Sequence, residues 1–280
     1  MIRTRGVPRE LAGAETAPDD IAAEASPSGD GRRRRAIIGG AVLPLVLVAL
    51  WQLTTSLGVF TIVQLPSPGM VIAAGFELAD RGLLGAYVAI STQRVVTGFV
   101  IGASLGLLLG AITGLARGWD IALGSTLGAV RAVPSLAWVP LLVLWLKIGE
   151  DSKVTLIVIG AFFPVYTTVS SALRHVDRHL VEAGRAFGLH GLRLFTTIQL
   201  PAVVPSVIAG LRLALAQSWM FLVAAELIAS SAGLGFLLVD SQNNGRVDRI
   251  LLAIISLAVL GKSSDAILDI FERWAVRRWT

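Results

Sequence analysis

The 280 residues contain no cysteine, which excludes a disulfide framework, a thiolate metal site and a cysteine nucleophile. Histidine is almost as scarce, and His175, His179 and His190 all fall in one polar stretch. His175 and His179 have the i, i+4 spacing of a metal-binding helix, but no HExxH-type carboxylate accompanies them. The pair therefore reads as part of a solvated basic loop, with no metal. A GxxxxGK[ST] phosphate loop is missing, so the chain is not expected to hydrolyse ATP itself, and it offers no soluble two-lobed domain to capture a solute. Charge is sparse too: 15% of residues are charged and 54% hydrophobic, more apolar than an ordinary water-soluble domain. The net charge of +5 sits at the ends of apolar runs and not on one face, which argues for membrane topology and against a nucleic-acid partner.

What is present is a succession of apolar runs of about 20 residues, each enough to cross the hydrocarbon of a bilayer. Residues 1–35, rich in Ala, Pro, Gly, Ser and acidic groups, read as a disordered tail. A membrane domain is expected over 36–280. Arg32 to Arg35 precede the first run, Ala36 to Gly58. A cleaved export signal is the rival reading, but the run is long for a signal core and no small-residue cleavage site ends it.

Leu65-Pro66-Ser67-Pro68 stops that span, and helical spacing from about Met70 to Arg81 suggests a short external amphipathic helix. Five more spans are expected at roughly Val88 to Ala116, Ile121 to Leu146, Val154 to Leu173, Val203 to Ala229 and Ile250 to Phe271, an all-α polytopic fold of six transmembrane helices. With both termini in the cytoplasm, about fifteen Lys and Arg lie inside against about five outside, as the positive-inside rule requires. Gly98, Gly102, Gly106, Gly110 and Gly114 repeat every four residues and line one face of the second span, a pattern for close helix packing.

The longest internal loop, about 174–202, reads Glu182-Ala183-Gly184, three residues, Gly188, nine residues, then Ile198-Gln199-Leu200-Pro201. Leu180, Ala183, Gly184 and Phe187 share a stripe of a short helix, while Glu182, Arg185 and Arg178 point elsewhere. Gly188 suits a left-handed cap, and Leu192 to Ile198 can form a second short helix before Pro201 redirects the chain into the membrane. A helix-turn-helix knob is the expected result.

The spacing resembles the EAA motif of binding-protein-dependent ABC importer permeases, EAA-x3-G-x9-I-x-LP, with Gly184 in place of the second alanine. Leu65-Pro66-Ser67-Pro68, the run Val133-Pro134-Ser135-Leu136-Ala137-Trp138-Val139-Pro140-Leu141, and Ala225-Glu226-Leu227-Ile228 through Gly233-Leu234-Gly235 are similar to the nitrate, sulfonate and taurine branch, the aliphatic sulfonate permeases most of all. The resemblance covers roughly Val42 to the C terminus. It implies a type I ABC importer permease fold in a bacterial cell membrane, with Glu182, Ala183, Gly184, Gly188, Ile198, Leu200 and Pro201 docking a cytoplasmic ATPase. It also implies a translocation subunit that is not an enzyme and holds no cofactor, since ATP and magnesium bind the partner ATPase dimer. The other partners are an extracytoplasmic solute-binding protein, surrounding lipid and, since a pore needs more than six spans, a second permease copy, with a second, different permease as the alternative. The implied solute is an aliphatic sulfonate, with taurine, nitrate or bicarbonate as alternatives.

Charges within spans are costly and so are candidates for function. Arg94 and Lys262 lie near span ends, where they could snorkel, and Arg131 and Arg212 could pair with carboxylates such as Glu226 or Asp265. The third span is broken by Pro134 and Pro140, and lipid tolerates such backbone only where protein or a water-filled cavity satisfies it. Arg131, Ser135, Trp138, Gln217, Trp219 and Glu226 are accordingly expected near the pathway. An intramembrane hydrolase or transferase lacks a nucleophile-and-base constellation here, and a secondary transporter would show related halves with charged relays, which these spans do not.

Overall fold

The computed structural model describes residues 29–134 and 137–279, and the chain divides into two units, Met1–Ala49 and Leu50–Thr280. All regular structure among the described residues is helical. Helix α1 (Gly29–Ser56) contributes its first part to the first unit. It begins ahead of the expected boundary at residue 35, because arginine is a strong helix former and the run from Arg32 to Arg35 continues the helix without a break. Of the tail expected over residues 1–35, residues 1–28 lie outside the described residues.

In the second unit Ser67 caps α2 (Pro68–Asp80), accepting from the Met70 amide at 3.4 Å, with Pro68 in the first turn where no amide donor is needed. Glu77 ties α2 to the start of α12 (Val247–Trp279), accepting from Arg246 Nη2 at 3.0 Å and Arg249 Nη2 at 2.9 Å. Those two hydrogen bonds, the one from Arg246 first, hold the Glu77 carboxyl below the usual carboxylate range.

The centre of the unit is the pairing of α3 (Leu83–Leu115) with α7 (Glu150–Arg174). The glycine repeat makes it. A Cβ added at Gly102 would lie 2.5 Å from the Val158 carbonyl oxygen, and one at Gly106 would lie 2.8 Å from that of Phe162. Helix thus rests on helix through backbone, at a separation only glycine permits. Gly106→Val is expected to force α3 from α7 and to cost about 3 kcal/mol, since a backbone carbonyl cannot rotate away as a side chain can. Thermal unfolding in detergent checks this, and an unchanged midpoint would mean that the contact contributes nothing. Helix α10 (Leu200–Ala229) also packs on α7, and Ala103 of α3, Ala161, Val165 and Val169 of α7, and Val203 and Ala214 of α10 form one apolar core.

Four stretches are long and apolar enough to cross a membrane: Leu83–Leu115, Glu150–Arg174, Gly191–Ile228 and Val247–Ala275. They match the second, fourth, fifth and sixth expected spans. The first appears as the shorter apolar stretch Val42–Ser56 of α1. The third, expected over Ile121 to Leu146, is segmented. It comprises α4 (Arg117–Trp119), a π-helical turn Asp120–Gly124, α5 (Ser125–Ala132) and, after an extended Val133, α6 (Trp138–Leu146). Pro134 causes the break, because its ring drives the preceding residue out of the helical region, and Val133 has ψ 124°. Pro140 makes no break, since it lies in the first turn of α6, where no intrahelical partner awaits an amide.

Candidate functional site: a capped knob and a buried ion pair

The loop after α7 folds as a compact two-helix knob. Asp177 caps α8 (Arg178–Ala186), its side chain accepting from the His179 amide at 2.8 Å. The C-terminal end closes at Gly188, whose φ is +79°. The Gly188 amide donates to the Arg185 carbonyl at 2.9 Å and the Leu189 amide to the Gly184 carbonyl at 3.0 Å, the bond pair of a Schellman cap. Gly191–Leu194 (α9) follows, and a π-helical turn, Phe195–Gln199, leads directly into α10.

Pro201 therefore does not redirect the chain as expected. It stands in the first turn of α10, inside a helical run from Gly191 to Ile228. The π-turn explains how: the Leu200 amide donates to the Phe195 carbonyl, five residues back, so the ladder is already shifted where the proline lacks a donor.

The expected apolar stripe of α8 is split. Gly184 is buried, and a Cβ there would lie 2.8 Å from Leu194 Cδ1 and 3.2 Å from Ile198 Cγ1, so Gly184 is where α8 seats on the next helix. Leu180, Ala183 and Phe187 face outward with Leu192, and Phe187 is 87% exposed. Glu182, also exposed, accepts from Arg178 Nε at 3.1 Å. Of the motif residues, Ile198, Leu200 and Pro201 are half-buried at the base.

The candidate pathway residues do not gather in one place. Arg131 and Gln217 line one cavity of 370 Å³ together with Pro134, Gly160 and Phe221. Trp138 packs against the apolar core around Leu156 and Phe221. Trp219 donates its indole N–H to Ser264 Oγ at 2.9 Å, which turns it toward α12. Ser135 lies outside the described residues.

Glu226 is 1% exposed and belongs to a polar cluster inside the protein. It accepts from Arg94 Nη1 at 2.6 Å, from Ser91 Oγ at 2.8 Å and from the Gly235 amide at 2.7 Å. Arg94, 5% exposed, spends its remaining donors on both oxygens of Glu150 at 2.6 Å and on the Ala232 carbonyl at 2.7 Å. Lys153 adds a contact of 3.0 Å to Glu150. Two cations thus face two carboxylates, and α3, α7, the end of α10 and the start of α11 (Leu234–Asn243) are joined. Glycine is needed at 233, since a Cβ there would lie 2.3 Å from Glu226 Oε1.

Arg94 is therefore no snorkelling arginine. Snorkelling was the reading its location near a span end offered, with Glu226 expected to pair with Arg131 or Arg212; instead Glu226 is buried against Arg94. Arg212 pairs with Asp265 at 2.9 Å, as expected, and also with Glu272 at 2.8 Å. Sequence reasoning missed Asp120 and Arg174, which pair at 2.6 Å across the large cleft beside α7. Their signal was a lone acid after Arg117 and a lone base closing an apolar run.

Comparison with known proteins agrees with this architecture. The family described as binding-protein-dependent transport system inner membrane component matches residues 102–277. The permease protein SsuC of Bacillus subtilis (strain 168), named for aliphatic sulfonates transport, is 37% identical over 90% of this chain and 91% of its own length. The Escherichia coli (strain K12) protein of the same name is 40% identical over 84% of this chain and 89% of its own. The nitrate import permease protein NrtB of a Synechocystis species is 30% identical over 86% and 90%. An inward-facing structure of the MetNI methionine ABC transporter superposes with a TM-score of 0.55 at 20% identity, over 72% of this chain and 96% of that one, and so shares the fold. Membrane-length helices, an outward-facing knob after α7 and these likenesses converge: the chain belongs to the binding-protein-dependent ABC importer permeases, membrane components that translocate a solute and are not themselves enzymes.

Proposed function

We propose that this chain forms the pathway of an importer for aliphatic sulfonates, working as a two-fold homodimer with two ATPase subunits against α8 and a solute-binding protein on the opposite side. Both termini lie in the cytoplasm in this reading. ATP and magnesium belong to the ATPase, and no cofactor resides in this chain. The single observation that carries the proposal is the outer face of α8 and α9, where Leu180, Phe187 and Leu192 are 49%, 87% and 76% exposed beside Glu182. A large aromatic left so open on a short, rigidly capped helix is a residue awaiting a partner. Closure of the ATPases would move that face, and the helical run from Gly191 to Ile228 would carry the motion to Gln217.

The pathway in this reading centres on Arg131 and Gln217, which border one cavity. Arg131 has no carboxylate within ion-pair distance among the described residues, which leaves its charge available to an anion. Glu226 acts as the buried counter-ion of Arg94, and Trp219 as a brace to α12. The choice of solute is supported by the names of the Bacillus and Escherichia relatives. Nitrate is the second reading, favoured by the NrtB relative.

The test is reconstitution of the permease with its ATPase and binding protein in proteoliposomes, with ethanesulfonate as solute. Loaded binding protein should stimulate ATP hydrolysis and drive uptake that excess nitrate does not compete away. Uptake without any ATPase subunit would overturn the proposal, and competition by nitrate alone would move the solute to the second reading.

A further inference from the structure

Three clefts of the second unit follow one another along α7. One, of 370 Å³, is bordered by Arg131, Gly160, Pro164 and Gln217. The next, of 1070 Å³, runs from Arg131 past the hydroxyl side chains of Tyr166, Thr167, Ser170 and Ser171 to Arg174. A third, of 510 Å³, lies at the base of α8 and is bordered by Arg174, Arg178, Arg185 and Asp120. Among the described residues Arg131 alone lines both the first and the second. Asp120 and Arg174 are, among the described residues, the two that line both the second and the third. Each junction therefore carries an arginine, and only the one nearer the knob also carries a carboxylate.

We propose that the Asp120–Arg174 pair gates the second cleft from the third, and that Arg174 is a second binding site, after Arg131, for the sulfonate group of the solute. The inference rests on the reading of the Arg131 cleft as part of the route. Arg174 Nε donates to the Ser170 carbonyl at 3.2 Å and Nη2 to Ser170 Oγ, so α7 itself fixes the plane of the guanidinium. Ser170 is held in turn by Thr113 Oγ1 at 3.1 Å. The remaining edge, Nη1, donates to Asp120 Oδ2 at 2.6 Å from across the cleft.

Asp120 opens the π-helical turn Asp120–Gly124, a geometry common at functional sites. Gly124 makes room for it, since a Cβ there would lie 2.9 Å from Asp120 Oδ1. The two partners belong to different elements: Asp120 leads through α5 to Arg131, and Arg174 ends α7 just ahead of α8. In the proposed gate, displacement of the knob would draw Arg174 away from Asp120.

The chemistry is an exchange of one oxyanion for another on a fixed guanidinium. A sulfonate arriving in the second cleft takes the place of the Asp120 carboxylate on the guanidinium: no covalent bond is made or broken, Arg174 exchanges one anionic hydrogen-bond partner for another, and the released carboxylate is left to water. The pair is suited to this because its side chains are 41% and 27% exposed, and ion pairs so open to water are weakly held. The buried Arg94–Glu226 pair, at 5% and 0%, could not exchange in this way.

The experiment measures efflux of radiolabelled ethanesulfonate, and of glycerol as a neutral comparison, from proteoliposomes holding the assembled transporter without ATP. Asp120→Asn should raise ethanesulfonate efflux about fivefold, the population shift an ion pair of this exposure can hold back, with glycerol efflux little changed. The charge swap Asp120→Arg with Arg174→Asp restores a pair and should bring the leak back toward the wild-type value. It also answers the question if the single variant fails to assemble. Wild-type efflux in Asp120→Asn, or an equal rise for both solutes, would overturn the gate. Arg131→Gln separates the two claims: if it leaves ATP-driven uptake intact, the route itself is wrong. If it lowers uptake while Asp120→Asn does not leak, the gate alone fails.

Discussion

Gly188→Val is expected to lower ATP-driven uptake at least about tenfold while the permease remains inserted and assembled, the size of loss that follows when about 1.4 kcal/mol of coupling disappears. The cause is local. Gly188 has φ +79°, and a Cβ there would meet no atom beyond its chain neighbours within 4 Å, so the penalty on valine comes chiefly from its own backbone. A β-branched residue in the left-handed region costs about 1–2 kcal/mol or more, and the chain escapes by abandoning the conformation. The bonds from Gly188 to Arg185 and from Leu189 to Gly184 then open, and the angle between α8 and α9 is no longer fixed.

Leu180, Glu182 and Phe187 would still be present but wrongly aimed at the ATPase. Gly188→Asn should keep most of the uptake, because asparagine tolerates the left-handed region. Gly184→Ala should also be close to wild type, since the nearest atom to its Cβ is the mobile end of Leu194. Paired measurements of uptake and ATP hydrolysis in proteoliposomes check the set. Full uptake in Gly188→Val would remove the knob from the mechanism.

Arg94→Ala is expected to destabilise the folded chain by about 3–5 kcal/mol, because it leaves the Glu226 carboxylate buried without its cation. Ser91 Oγ and the Gly235 amide remain as donors to Glu226, but neither carries charge. Glu150 would be little troubled by the loss, since its side chain is 60% exposed and keeps Lys153. Arg94→Lys should rescue only in part: an ammonium cannot present the fork that reaches Glu150, Glu226 and the Ala232 carbonyl together.

The double variant Arg94→Met with Glu226→Met is the informative companion. With both charges gone, much of the stability should return, as it does when a buried pair is replaced by apolar side chains of similar size. Yield from membranes and thermal unfolding in detergent give the comparison. If Arg94→Ala unfolds at the wild-type temperature, the cluster does not hold α3, α7, α10 and α11 together.

What was legible in the sequence was what is local or periodic. The repeat from Gly98 to Gly114 announced a face for close packing, and all five glycines meet α7. The Schellman cap at Gly188 could be read from a glycine placed after a short amphipathic segment. The break at Pro134 followed from steric rules acting on its immediate neighbour. Long-range pairing was not legible: Arg94 and Glu226 are 132 positions apart, and no period connects them. Arg131 and Gln217 could be nominated as polar groups in apolar surroundings, but so could Trp219, and only packing distinguishes them. The path of Pro201 was misread because a π-turn depends on which carbonyl an amide selects, here Phe195 for the Leu200 amide, and no residue pattern announces that choice.

The helical run of 38 residues from Gly191 to Ile228 has a mechanical meaning. At 1.5 Å per residue its contour is about 57 Å long, passing through the π-helical turn Phe195–Gln199 and Pro205, with α8 seated near one end through Gly184 and the Glu226 cluster near the other. About 5° of rotation about its base would sweep the far end through about 5 Å, as much as a full helical turn of travel. Under the proposed coupling this run would serve as a lever arm, in which a small angular stroke at the water-exposed end would become a displacement of several ångströms at the other.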